Sequence, residues 1–151
     1  MNVVIRPVEN GDLETFYTQQ MDPVALEMAV FGARDRDAFM KHWDRIRNDP
    51  ACITRAALAD GQLAGNVMIW TKDGRTFLGY WIGRDFWGRG IATEAVRLVL
   101  QEEAERPMYA WVALTNKGSV RVLEKSGFVR LEPQPPPNQG DVPEQLMILE
   151  A

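Results

Sequence analysis

One cysteine and one histidine among 151 residues leave Cys52 without an internal disulfide partner. Together with His42, it falls short of the ligand set that a Cys/His zinc centre needs. Neither a disulfide framework nor a metal is implied. Positive charge is scarce too: 17 Lys and Arg stand against 21 Asp and Glu, a formal net charge of -4. Nothing therefore draws the whole chain toward nucleic acid or an anionic membrane, and neither is expected as a partner. Long apolar runs are missing as well. The opening "MNVVIRPVENGD" reaches Arg6 and Glu9 before a signal-length apolar segment can form, and no stretch nears the ~20 apolar residues of a membrane helix. These absences point to a cytoplasmic protein and leave its oligomeric state open, a homodimer included.

What is present is ordinary globular material, 46% hydrophobic and 25% charged. The length suits one domain over residues 1–151, able to bury roughly 68–70% of the surface its unfolded form exposes. "NVVIRPV" reads as a strand, and "NGDLETFY" as a helix capped by Asn10 or Asp12. Asp22-Pro23 starts another helix, and a third begins near Asp35 with Phe39, Trp43 and Ile46 on one face, until "NDP" ends it. The period then changes. "ACITRAALA", "QLAGNVMIW" and "RTFLGYWIG" are strand-like and joined at Asp60-Gly61 and Lys72-Asp73-Gly74, which predicts an antiparallel meander. From Gly90 to about Glu105 an apolar stripe of Ile91, Ala92, Ala95, Val96, Val99 and Leu100 has helical spacing. "MYAWVAL" predicts a strand, "KGSVRVLEK" a helix closed by Gly127, "FVRLE" a strand, "PQPPPNQGDVP" a loop and "QLMILE" a last strand. The strand-helix-strand unit from Arg75 to Leu114 implies a parallel pair inside an otherwise antiparallel sheet. The class is mixed α/β, of the α+β type, with helices flanking the sheet.

The most informative stretch is "DFWGRGIATEAV", residues 85–96, which places two glycines at the mouth of a helix. Helix N-termini carry unsatisfied N–H groups and a partial positive charge, and glycine lets an anion approach them. A nucleoside-triphosphate loop would require Lys after the last glycine, and none follows Gly90. A dinucleotide fingerprint would require Gly or Ala where Thr93 stands, and an acid about 20 residues on, where "MYAWVAL" lies. The third candidate is a coenzyme A pyrophosphate.

"FWGRGIATEAV", preceded by "LGYWIG" and followed by "ALTNKGSVRVLEKSGF", resembles the GNAT superfamily of acetyl-CoA-dependent N-acetyltransferases, within it the RimJ/RimL-like branch that acetylates ribosomal-protein N-termini. The resemblance implies a GNAT-like, mostly antiparallel sheet with a central, splayed parallel strand pair. It also implies that the amides of Trp87, Gly88, Arg89, Gly90, Ile91 and Ala92 hold the pyrophosphate. Tyr80, Trp81 and Ile82 would pair through their backbone with the pantetheine arm, and Asn116 and Ser119 would face the cofactor near the thioester sulfur. Arg84 and Arg89 can add charge beside the phosphates. Two positions depart from the superfamily pattern: Asp85 stands where Gln or Arg is common, and Leu123 where a tyrosine general acid usually stands.

Acetyl transfer needs a neutral amine, a polarised carbonyl and a stabilised leaving thiolate. A backbone N–H around Ile82 is the expected oxyanion donor and Ser119 the hydroxyl for the sulfur, unless it serves as a helix-cap hydroxyl. Tyr80, Glu27, Asp35 and Asp37 are the base candidates. Cys52 reads as a small buried hydrophobe, His42 as a solvated side chain, and Trp70, Trp81 and Trp111 as core, with Trp81 also able to wall the acyl pocket. The alternating charges at 33–37 read as a solvated face, and the proline run as a stiff loop beside the acceptor cleft. The acceptor is a small-molecule amine or a protein N-terminus. The competing reading is a non-catalytic acyl-CoA-binding sensor or scaffold.

Overall fold

The computed structural model describes residues 1–29, 35–131 and 144–150; the proline run and the first two residues of the 33–37 charge cluster lie outside them. In chain order the elements are β1 (Val3–Pro7), α1 (Asp12–Gln20), α2 (Pro23–Ala29), α3 (Arg36–Arg47), β2 (Cys52–Ala59), β3 (Gln62–Lys72), β4 (Arg75–Ile82), a 3-10 turn (Arg84–Phe86), α4 (Ile91–Glu102), β5 (Met108–Ala113), α5 (Lys117–Lys125), β6 (Val129–Arg130) and β7 (Glu144–Leu149). The strands form one sheet in the order β1-β2-β3-β4-β5-β7-β6. Among the described strands only β4 and β5 pair in parallel, as the α4 crossover between them requires. The hairpins turn where aspartate precedes glycine: Asp60 (φ 49) and Gly61 (φ 80), then Asp73 (φ 53) and Gly74 (φ 77), are all left-handed, as a two-residue turn matching strand twist demands.

Side chains alternate across the sheet, so each face has its own core. Val67, Ile69, Leu78, Met108, Ala110 and Met147 meet Val96 and Val99 of α4 and Val120 and Leu123 of α5. On the other face, Phe16 of α1 and Phe39, Trp43 and Ile46 of α3 close over Ala56. These helices pack against β2 and β3. Trp70, Trp81 and Trp111, expected in the core, are instead half-buried. The core tryptophan is Trp43, 3% exposed.

Three local expectations are corrected. The N-cap of α1 is Gly11, with no side-chain cap bond, because Asp12 is already inside the helix and reaches back to the Glu9 amide (2.8 Å). Helix α4 stops at Glu102 rather than near Glu105, and β6 spans two residues rather than five. At the other helices the sequence signals hold: the carboxylate of Asp22 accepts the amides of Val24 (2.9 Å) and Ala25 (3.1 Å), and that of Asp35 accepts the amide of Ala38 (2.8 Å).

Asp12 is 6% exposed, and its carboxylate takes a two-pronged bond from Arg6 at 2.7 and 2.9 Å. The Arg6 guanidinium holds its pKa below the ordinary aspartate range, helped by the Glu9 amide and opposed by desolvation. Its ionised form is thus favoured by folding. That stability is fully present above the unfolded-state pKa of about 3.9 and is lost as pH falls through the lower folded value. Asp12→Asn is expected to cost about 3 kcal/mol, at the low end for breaking a buried pair because Arg6 is partly solvated. For a chain of this size that lowers the melting temperature by about 6–12 °C. Thermal unfolding by circular dichroism checks it: an unchanged melting temperature at neutral pH, or an unaltered loss of stability in acid, contradicts the assignment.

Candidate functional site

Strands β4 and β5 share ladder pairs only at Thr76↔Met108 and Phe77↔Tyr109. Past Phe77 they part, β5 keeping its full pairing to β7 while β4 stays on β3. The gap opens toward the glycine turn. A cleft of about 560 Å³ runs from there to α5, lined by Tyr80, Trp81 and Ile82 of β4, Trp87, Gly88 and Gly90 of the turn, Ile91 and Ala92 of α4, and Asn116 and Ser119 of α5. Ten of the eleven cofactor positions expected from the sequence thus come together around one space. The exception is Arg89, whose guanidinium lies over the Phe86 ring, 5.6 Å from its centroid. Arg84 is likewise turned aside, 3.4 Å from the Asp22 carboxylate.

The turn is shaped by its torsions. Gly88 (φ 74) and Gly90 (φ 79) are both left-handed, and a Cβ at either would meet nothing within 4 Å. The glycines are therefore required by backbone conformation, and the space above them is open. Gly90 is the N-cap of α4, and no side chain caps that helix, so its first-turn amides face the cleft mouth with a partial positive charge. The Trp87 indole N–H donates to the Ile82 carbonyl at 2.8 Å, tying the turn to the end of β4.

Across the cleft, Arg121 and Lys125 of α5 belong to the lining. Sequence reasoning missed them: four residues apart, they share a helix face, but cations on an amphipathic helix usually read as a solvated surface. They bring two cationic side chains to the cleft wall, where Arg84 and Arg89 are not among the lining residues.

Asn116 is the N-cap of α5, its side-chain oxygen accepting the Ser119 amide at 3.2 Å. Ser119 is thereby released from the capping role. Its Oγ lies 2.5 Å from the Tyr80 hydroxyl, and the Tyr80 O–H also reaches the Ser119 carbonyl at 3.2 Å. Burial pushes the Tyr80 pKa up to about 12 against a smaller opposing effect of the Ser119 hydrogen bond. A pKa raised in this direction favours the protonated phenol, which weighs against Tyr80 as a base; in its short bond with Ser119 either hydroxyl can be the donor. Leu123 is 1% exposed within the core beneath α5 and takes no part in the cleft lining.

None of the other base candidates lines the cleft: Glu27 and Asp37 are exposed, and Asp35 caps α3. Glu144, a further carboxylate, opens β7 beside β5 and likewise lies outside the cleft lining. It pairs with Ala113, which puts it on the same sheet face as Trp111 and Trp81. The Trp81 indole N–H donates to the Gln19 carbonyl at 3.2 Å, joining this face to the end of α1.

Cys52 is half-buried beside the Phe16 and Trp43 cluster, and its thiol pKa is raised, chiefly by desolvation, which disfavours the thiolate. His42 Nδ1 lies 2.9 Å from the Arg45 guanidinium on α3, away from the cleft. Among the described residues no group of three His, Cys, Asp or Glu could hold a metal ion, and no helix is long and apolar enough to cross a membrane.

A sequence family described as Acetyltransferase (GNAT) domain matches residues 2–129. Two Bacillus subtilis (strain 168) proteins are similar in sequence. YdaF, provisionally named a ribosomal N-acetyltransferase, is 33% identical over 101 residues, covering 62% of this chain and 55% of YdaF. YjcK, provisionally named an N-acetyltransferase, is 46% identical over 56 residues, covering 34% of this chain and 31% of YjcK. The matching segment thus spans about half the length of the first relative and a third of the second. Spermidine N-acetyltransferase from Vibrio cholerae, crystallised with CoA and spermine, superposes with a TM-score of 0.83 at 18% identity, over 98% of this chain and 95% of that one. Aminoglycoside acetyltransferase AAC(6')-Ib in complex with coenzyme A gives 0.80 at 17% identity, over 99% and 95%.

Proposed function

Because the chain belongs to the GNAT acetyltransferase family, we propose that it is an acetyl-CoA-dependent N-acetyltransferase that moves an acetyl group directly to a primary amine of a small molecule or a protein N-terminus. The observation that carries this reading is the convergence on one cleft of an uncapped helix mouth, a strand edge without a ladder partner and a serine hydroxyl.

The residues suit acetyl-CoA part by part. The amides at Gly90 to Ala92 offer donors to a pyrophosphate, with Arg121 and Lys125 adding charge. The free edge of β4 at Tyr80 to Ile82 can hydrogen-bond an amide-bearing arm as a missing strand would. Bound acetyl-CoA supplies an activated acyl carbon, so the protein's task is to position, polarise and handle protons. A backbone N–H near Ile82 steadies negative charge on the carbonyl oxygen. Ser119 Oγ–H donates to the sulfur as its charge grows. A base has to take the proton from the amine nitrogen, whose unperturbed pKa of about 10.4 keeps it charged in neutral water. With no fixed excess of positive charge and no membrane helix among the described residues, the reading places the enzyme in the cytoplasm, without a nucleic-acid or membrane partner.

The test is thiol release from acetyl-CoA across a panel of polyamines, aminoglycosides and short peptides with free N-termini, with product mass read for one added acetyl group. Amine-dependent release is expected. Saturable coenzyme A binding with no release from any amine establishes the non-catalytic module instead.

A further inference from the structure

We propose that Tyr80 is a positioning residue that aims the Ser119 hydroxyl at the cofactor sulfur, doing from strand β4 what a helix-borne tyrosine cannot do here because Leu123 occupies that place. The inference rests on the reading that coenzyme A lies in this cleft.

A serine near the start of a helix has several local fates. It can cap the helix, or it can return its proton to the carbonyl four residues back, as Ser126 Oγ does to Val122 (2.8 Å). Neither bond is made by Ser119. Asn116 already accepts the Ser119 amide, and the Oγ has Tyr80 as its partner, at the short end of the O–H···O range.

The hydroxyl pair has one proton each and two acceptors beside the cleft, the Ser119 carbonyl and the sulfur. Either hydroxyl can donate in the short Tyr80–Ser119 bond, and when Tyr80 is the donor the Ser119 proton is free for the sulfur. As the C–S bond breaks and its electron pair stays on sulfur, Tyr80 donates to Ser119 Oγ, and Ser119 donates to the thiolate. Each donation polarises the next. No heavy atom has to move, so the stabilisation is already in place when the charge appears. No proton changes owner in this chain. Burial holds the Tyr80 proton far more firmly than a thiolate can take it, so the thiolate draws its proton later, from solvent or the protonated base.

The experiment titrates coenzyme A itself, bound to the full chain, by the ultraviolet absorbance of its thiolate, and needs no acceptor. In the wild type the bound thiol is expected to titrate about one unit below the bound thiol in Tyr80→Phe, a tenfold difference in thiolate at a given pH. Ser119→Ala should show the same displaced titration as Tyr80→Phe, which covers a Phe variant that folds poorly. In turnover, Tyr80→Phe should lower kcat ten- to a hundredfold with KM for acetyl-CoA within about twofold, and the double variant should fall no further than Ser119→Ala alone. A packing role for Tyr80 would leave the thiol titration where it is. Identical titrations in wild type and both variants overturn the proposal, as does a wild type that binds no coenzyme A. A wild type with the lowered thiol titration that acetylates no amine supports it while removing the enzymatic reading.

Discussion

Gly90→Val is expected to raise the dissociation constant for coenzyme A at least about a hundredfold, a loss of about 2.7 kcal/mol, with the fold retained. Gly90 sits at φ 79, where a side chain costs roughly 1–2 kcal/mol and a β-branched one more. A chain that relieves this strain must rotate the turn and with it the amides at the mouth of α4. A chain that tolerates it carries an isopropyl group into the open space beside them. Both routes spoil the cradle. Gly74→Val is the control. That residue has nearly the same torsion (φ 77) and equally empty surroundings, but it lies in the β3–β4 hairpin, outside the cleft lining. It should lose a similar amount of thermal stability and none of its affinity. Isothermal titration of both variants, with melting curves at zero and saturating coenzyme A, separates the two effects, since ligand stabilisation follows affinity. Equal affinities in the two variants would remove the turn from the binding site.

Ser119→Ala is expected to reduce kcat about a hundredfold or more, the usual range for losing one preorganised donor to developing charge, with coenzyme A affinity within about twofold. The asymmetry follows from where the hydroxyl acts. A neutral thioester sulfur is a poor acceptor and gains little from the donor in the ground state; a thiolate gains much. Binding is therefore spared while the barrier rises. Helix α5 should be unharmed, because its cap is Asn116 and the substitution leaves the Ser119 amide in place. Steady-state kinetics beside calorimetry decides it: kcat and affinity falling together would place Ser119 in binding, and an unchanged kcat would remove it from the reaction.

Much of this site was legible because it is written in backbone chemistry. Gly88 and Gly90 announce left-handed torsions at a helix mouth, and Asp60-Gly61 and Asp73-Gly74 announce the hairpins that line β4 up beside β3. A strand-helix-strand run forces β4 and β5 to lie parallel. The side-chain partnerships were less legible, because they depend on which faces meet. Nothing local in Arg84 or Arg89 tells that one will be drawn to Asp22 and the other lie over Phe86, or that Arg121 and Lys125 will take the cleft side of α5. The meeting of Tyr80 with Ser119 spans 39 positions and exists only once α5 settles on the sheet. The three half-buried tryptophans failed for a related reason. Their size suggests burial, but α1 and α3 pack on β3 and β2, and the three rings keep part of their surface exposed.

The placement of β7 between β5 and β6 bears on how such a protein comes into being. Synthesis proceeds from the N-terminus, so β5 emerges long before the strand that will pair with all six of its residues. Until that strand arrives, β5 is held by two ladder positions on one side and presents a bare edge on the other. A growing chain can thus form the meander and its glycine turn early, yet one wall of the cleft becomes firm only once β7 has been made and pairs with β5. Competence for chemistry then waits on β7, and the interval before it pairs is when the bare edge of β5 is most exposed to edge-to-edge association.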